Sequence, residues 1–143
     1  MPEVVRSIDI QAPPSVVWRW FATQESLRRW LGSELEIDLR VGGAYRLLGP
    51  DGETWISGSV LEMIPEGRLV VSWMELGGDW VYPARLVISL VATSTGTHVT
   101  LVHDGFAGIG KPGWPTTLNA YERGADRHRV LERLAELVAP GGA

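Results

Sequence analysis

Apolar and polar residues alternate along most of the chain between residues 34 and 104. Leu35, Ile37 and Leu39 share one face of the first such segment, whereas Glu36 and Asp38 share the other. This period of two is typical of an antiparallel strand with one face buried and one in water. The predicted strands are residues 4–11, 34–41, 45–47, 54–64, 68–75, 84–92 and 97–104. Six or seven such strands form a sheet whose apolar face needs a cover.

Only the C-terminal segment is long enough to cover that face. A helix is expected to begin near Trp114 and Pro115, because proline fits the first turn of a helix. Its apolar stripe runs from Trp114 to Val138, so the helix must lie against a large apolar surface. Gly124 lies in its middle and predicts either a kink or a close approach of another segment there.

Two short helices are expected between the first strand and the second. Ser15 follows two prolines and is a candidate N-cap for a helix that reaches about residue 22. Thr23 is the candidate N-cap of the next helix, which Gly32 ends.

The composition excludes several classes of protein. The 143 residues contain no cysteine, so disulfides, thiolate metal sites and a cysteine nucleophile are excluded. A net charge of −4 with scattered basic residues predicts no nucleic-acid binding. Apolar runs reach only about five residues and the N-terminus has no signal pattern, so we expect a cytoplasmic protein without membrane insertion. His98 and His103 lie on opposite faces of one predicted strand, and we expect no metal and no other cofactor.

Seven short segments, taken in order along the chain, carry a family resemblance. They are residues 12–18 (APPSVVW), 29–31 (RWL), 39–43 (LRVGG), 58–62 (GSVLE), 68–73 (RLVVSW), 96–103 (GTHVTLVH) and 113–114 (GW). Together they resemble the SRPBCC (START-like) superfamily, in the branch named after the C-terminal domain of the activator of the ninety-kilodalton heat-shock protein's ATPase. The resemblance implies one α+β domain over residues 1–143 with the helix-grip fold of the major birch pollen allergen. In that fold a curved antiparallel sheet wraps around the long C-terminal helix and leaves a deep cavity between them.

Strand parity predicts the side chains that line this cavity. Glu62 has the parity of Val60, and His103 has that of Leu101, so both polar residues are expected to face inward. A buried carboxyl and an imidazole are suited to general acid–base catalysis, although side chains of this kind more often satisfy a buried polar partner in the scaffold. The expected ligand-binding residues are Tyr45, Val60, Trp73, Ile88 and Leu101 from the sheet and Trp114, Leu118 and Tyr121 from the helix.

Three functions are consistent with these residues. The first is binding of a small hydrophobic molecule, aromatic or polycyclic, with Trp73 and Tyr121 among the rings that contact it. The second is an enzyme similar to polyketide cyclases, in which Glu62 or His103 moves a proton. The third is a module that contacts a chaperone through a sheet edge or an exposed tryptophan such as Trp80. A cavity of roughly 300 Å³ or more favours a ligand, and a filled core favours the module. A second copy of the chain is a further expected partner.

Overall fold

Seven antiparallel strands form one sheet in the computed structural model, which describes residues 2–139. The strand order is β1-β7-β6-β5-β4-β3-β2. Each strand from β2 to β6 therefore pairs with the next strand along the chain, and β1 pairs with β7. The strands are β1 (Glu3–Ile10), β2 (Glu36–Ile37), β3 (Ala44–Leu48), β4 (Trp55–Ile64), β5 (Arg68–Glu75), β6 (Ala84–Ala92) and β7 (Thr97–Asp104). The α+β architecture and the number of strands confirm the prediction.

The strand expected at residues 34–41 is wrong in its length, because only Glu36 and Ile37 pair with β3. The chain turns immediately afterwards. The Arg40 N–H donates to the carbonyl of Asp38, and the Gly43 N–H donates to the carbonyl of Arg40. A Cβ at Gly43 would lie 2.1 Å from the Asp38 carbonyl oxygen, so the turn depends on a residue without a side chain. Alternation alone does not reveal such a turn.

The pairing of β4 with β5 is interrupted where the sheet bends. The register shifts between Val60 and Glu62, which is a β-bulge. Nearby, the Ser59 N–H donates to Ser72 Oγ at 2.9 Å. The Tyr45 side chain extends over Gly58, and its hydroxyl donates to the Ser72 carbonyl at 2.5 Å. A stretch of backbone pairing is therefore replaced by side-chain hydrogen bonds, and we call this stretch the β4–β5 seam.

Two one-turn helices follow β1, as predicted: α1 (Pro14–Trp18) and α2 (Gln24–Arg28). The Ser26 N–H donates to Thr23 Oγ1 at 3.1 Å, which confirms Thr23 as a cap. The expected extent of α1 is wrong, because it ends at Trp18, and its N-cap is Pro13 rather than Ser15. The rings of Trp18, Phe21 and Trp30 pack together and fill one end of the core.

The C-terminal cover consists of two helices, α3 (Trp114–His128) and α4 (Val130–Val138). They meet at Arg129, whose φ of 49° and ψ of 54° place it in the left-handed region. The kink expected at Gly124 is wrong in position, because Gly124 lies within regular α3. A left-handed residue cannot continue a right-handed helix, so the break falls at Arg129.

The two helices are buried to very different extents. Helix α4 buries Leu131, Leu134 and Val138 in the main core, whereas no residue of α3 is fully buried. The inner side of α3 packs instead on a smaller group, the lateral cluster, which consists of Val4, Trp80, Ala84, Phe106 and Ile109. The cover is thus firmly packed at its C-terminal end and loosely packed above the far end of the sheet.

Candidate functional site

An apolar cavity lies between the inner face of the sheet and the segment that follows α2. Its volume is about 10 Å³, which accommodates about one water molecule, whereas ligand pockets usually measure roughly 300–1,000 Å³. The predicted residues Tyr45, Trp73 and Ile88 contribute to it. The lining is completed by Leu31, Leu35, Ile37, Leu47, Leu69, Val71 and Leu86. In the conformation described here the interior is nearly filled.

Four rings beside this cavity form an aromatic cluster, which consists of Trp73, His103, Phe106 and Tyr121. The centroid of the His103 ring lies 4.7 Å from that of Trp73, 4.8 Å from Phe106 and 4.9 Å from Tyr121. Trp73 lines the cavity and also belongs to the cluster, so its ring is the wall that the cavity shares with the cluster. The structure thereby brings together three of the predicted site residues, Trp73, His103 and Tyr121.

Tyr121 connects α3 to the sheet through two hydrogen bonds. Trp73 Nε1 donates to the Tyr121 hydroxyl at 2.9 Å, and that hydroxyl donates to Glu75 Oε2 at 2.5 Å. Burial, and to a lesser extent the hydrogen bond to Glu75, raises the pKa of Tyr121 well above its ordinary value, so the phenol stays protonated. The sequence analysis missed Glu75, although its parity with Leu69, Val71 and Trp73 on β5 places it on the same face.

His103 is a buried neutral imidazole. It is 5% exposed, and burial lowers its pKa to about 3, with the nearby Asp104 opposing the shift only weakly. Within the part of the chain that the structure describes, His103 Nε2 has no hydrogen-bond partner. An imidazole in this state does not serve as a cationic acid near neutral pH, but its free nitrogen can accept or donate one hydrogen bond.

The expectation that Glu62 faces the interior is wrong. Because of the bulge after Val60, Glu62 pairs with Val70, which points to the outer face of β5. Its side chain is 39% exposed and forms an ion pair with Arg68 at 2.5 Å. Glu62 and His103 therefore lie on opposite faces of the sheet and cannot act as an acid–base pair.

The remaining predicted residues are divided between the two packed regions. Val60 and Leu101 lie in the main core, where they pair with the cavity-lining residues Val71 and Ile88. Trp114 and Leu118 pack against the lateral cluster rather than in the cavity.

Trp80 is not the exposed tryptophan that the sequence suggested. It is 5% exposed, and its ring packs against Phe106 and Tyr121 with centroid distances of 6.3 and 6.4 Å. Its Nε1, like His103 Nε2, has no hydrogen-bond partner among residues 2–139.

No three His, Cys, Asp or Glu side chains within residues 2–139 converge as metal ligands would. In that range the structure also contains no helix with the length and apolar character needed to cross a membrane.

The curved sheet, the two-helix cover and the internal cavity define a protein of the helix-grip, SRPBCC-type class. The sequence profile of one family within that class, described as Activator of Hsp90 ATPase homolog 1-like protein, matches residues 11–138. The chain belongs to this family. No significant match to a curated protein sequence was found.

Solved structures support the fold. Protein MLL2253 from Mesorhizobium loti is 22% identical, with a TM-score of 0.78 over 95% of this chain and 96% of that one. The Aha1 dimer from Colwellia psychrerythraea is 15% identical, with a TM-score of 0.73 over the whole of both chains. DynU16, a protein of the dynemicin biosynthetic locus, is 21% identical with a TM-score of 0.77, and the match spans 99% of this chain but 48% of DynU16. At these identities the likeness concerns the fold alone.

Proposed function

We propose that the chain binds a small hydrophobic molecule, aromatic or polycyclic, between the sheet and the C-terminal cover. The observation that carries this proposal is the continuity of the apolar cavity with the aromatic cluster through the shared wall of Trp73. An apolar lining with a few polar groups beside it is the usual composition of a small-molecule site. Trp73, Tyr121 and Phe106 supply ring faces and edges for an aromatic ligand.

Binding of an aromatic ligand requires the site to open, because the cavity holds only about 10 Å³. Helix α3 is suited to that movement, since none of its residues is fully buried and it joins α4 at the left-handed Arg129. Helix α4 is anchored by buried side chains and by Arg133, whose guanidinium donates to the Trp30 carbonyl at 2.9 Å. Outward rotation of α3 about Arg129 would draw Tyr121 away from Trp73, and displacement of the released Trp73 ring would enlarge the cavity while the main core stays intact.

Titration calorimetry with naphthalene tests the proposal. We expect saturable binding to the wild-type protein and an affinity at least about tenfold lower for Ile88→Phe, because the larger ring occupies the cavity. Val91→Phe is the matched control, since Val91 is exposed on the same strand, and its affinity should stay within about twofold of wild type. Equal binding by wild type and Ile88→Phe, or no saturable binding by wild type, would exclude naphthalene-sized aromatics from this cavity.

A cyclase-like enzyme, the second function expected from the sequence, is the alternative for the same site. The acid–base pair first expected is not available to it, because Glu62 faces outward. We therefore predict that Glu62→Gln leaves both ligand affinity and any turnover unchanged. Loss of the ion pair with exposed Arg68 should reduce the free energy of unfolding by less than about 1 kcal/mol. A large loss of turnover in Glu62→Gln would restore Glu62 as a catalytic residue.

The nearly filled interior favours the third function, a module that contacts another protein. Exposed apolar side chains at Leu76, Val81 and Tyr82 offer a contact surface in place of the buried Trp80. The naphthalene titration separates the two functions. A protein-contact module without a ligand site gives no reason for Ile88→Phe to lower the affinity for naphthalene while Val91→Phe leaves it unchanged. A homodimer and a cytoplasmic location, both expected from the sequence, stay predictions.

A further inference from the structure

Two buried polar atoms have no partner within residues 2–139: His103 Nε2 in the aromatic cluster and Trp80 Nε1 in the lateral cluster. The rings of both residues pack against the same two neighbours, Phe106 and Tyr121. Leaving a polar group buried without a hydrogen bond is costly, and such groups are rare in folded proteins. Their occurrence together indicates a partner that the protein itself does not supply.

We infer that the ligand is an uncharged aromatic molecule bearing a hydroxyl group, and that this hydroxyl hydrogen-bonds to His103 Nε2. The inference rests on the proposed function and specifies the class of ligand. Two observations place His103 next to the proposed site. Its ring contacts Trp73, and its residue pairs with Leu86 across β6 and β7. Both Trp73 and Leu86 line the cavity. A ligand that enlarges the cavity past Trp73 reaches the imidazole next.

The chemistry of the surroundings selects a neutral hydroxyl. Nε2 of a neutral imidazole is a donor in one tautomer and an acceptor in the other, and a hydroxyl satisfies either one. A carboxylate only accepts, and its charge would be buried among aromatic rings near the carboxyl of Glu75, which already holds the Tyr121 hydroxyl. An ammonium group would also be buried as a charge, and the depressed pKa of His103 indicates how poorly this environment solvates a cation. Trp80 Nε1 can only donate, so the partner that it lacks is an acceptor such as an oxygen atom.

Titration calorimetry with a matched pair of probes, naphthalene and 2-naphthol, tests this at pH 7. The wild-type protein should bind 2-naphthol about three- to tenfold more tightly than naphthalene, as one additional hydrogen bond implies. In His103→Phe the affinities for the two probes should become equal within about twofold, and this ratio is the readout. His98→Phe is the control, because His98 is on the outer face of the same strand and should keep the wild-type preference.

The outcomes separate the inference from the proposed function. Equal binding of both probes by the wild-type protein, or a preference that survives in His103→Phe, overturns the role of His103 and leaves ligand binding intact. Binding of neither probe contradicts the proposed function itself for ligands of this size. Should His103→Phe fail to fold, ¹⁵N NMR of labelled histidine in the wild-type protein gives the answer. The Nε2 resonance should shift with 2-naphthol but not with naphthalene, and equal shifts count against the inference.

Discussion

Gly58 shows at the level of one residue how close the strands approach at the β4–β5 seam. A Cβ at this position would lie 2.2 Å from the Ser72 carbonyl oxygen, which also accepts the Tyr45 hydroxyl. We predict that Gly58→Ala lowers the free energy of unfolding by about 2–3 kcal/mol, because backbone must move to relieve the overlap. Urea denaturation measures this change. Gly108→Ala is the control, since a Cβ there has no neighbour within 4 Å, and a loss of similar size in both variants would contradict the explanation.

His103 makes stability depend on pH through the free energy of keeping an imidazole neutral. Burial lowers its pKa to about 3 from 6.5, so between these values the unfolded chain binds a proton that the folded protein does not. Above pH 6.5 the imidazole is neutral in both the folded and the unfolded protein. As the pH falls below 6.5, the free energy of unfolding decreases by about 1.4 kcal/mol per pH unit for one proton. We predict that acid lowers the stability of the wild-type protein more steeply than that of His103→Phe. Urea denaturation from pH 7 to pH 4 tests the difference, and His98→Phe should follow the wild-type slope.

At the level of elements, α3 and α4 should differ in local stability. Helix α3 is attached to β5 by the hydrogen bonds that Trp73 and Glu75 make with Tyr121. We predict that Tyr121→Phe accelerates amide hydrogen exchange in α3 about five- to thirtyfold, which corresponds to the loss of about 1–2 kcal/mol. Exchange in α4 should stay unchanged.

Hydrogen exchange measured by mass spectrometry resolves the two helices. Tyr82→Phe provides the control, because Tyr82 is 61% exposed and its hydroxyl forms no bond to either helix. Faster exchange throughout the cover in Tyr121→Phe would mean that α3 and α4 open as one unit, which would argue against Arg129 as the point of movement.

The elements also show what the sequence can and cannot predict. The ranges of β6 and β7 follow from alternation, because these strands are long, regular and buried on one face. Parity fails at Glu62 because the bulge after Val60 adds one residue without changing the apolar pattern. The break at Arg129 leaves no sequence signal either, since arginine is an ordinary helix residue that rarely adopts the left-handed conformation it has here.

The same distinction applies to the candidate site. Parity identified His103 and Trp73, and the apolar stripe of the last helix identified Tyr121. Their mutual contacts and the missing partner of His103 Nε2 depend on where Phe106 and α3 lie in three dimensions. Such relations between distant segments are not contained in the pattern of any one segment.

For the whole molecule, ligand binding and stability should be linked. A ligand that binds only the folded protein stabilises it by about 1.4 kcal/mol at a free concentration of ten times its Kd. For a chain of this length we predict a rise in Tm of about 3–5 °C with naphthalene under that condition. Differential scanning fluorimetry measures the shift. Ile88→Phe at the same naphthalene concentration should show a much smaller one, and an equal rise would point to binding elsewhere on the surface.

The β4–β5 seam separates the sheet into a four-stranded part, β1-β7-β6-β5, and a three-stranded part, β4-β3-β2. Ser72 and Tyr45 supply hydrogen bonds there that backbone supplies elsewhere, so we expect the angle between the two parts to respond to these side chains. Ser72 is not among the residues that line the cavity. Substitution at this one position would therefore alter the width of the interior while keeping every residue that a ligand touches. Relatives with identical linings could in this way accept molecules of different size.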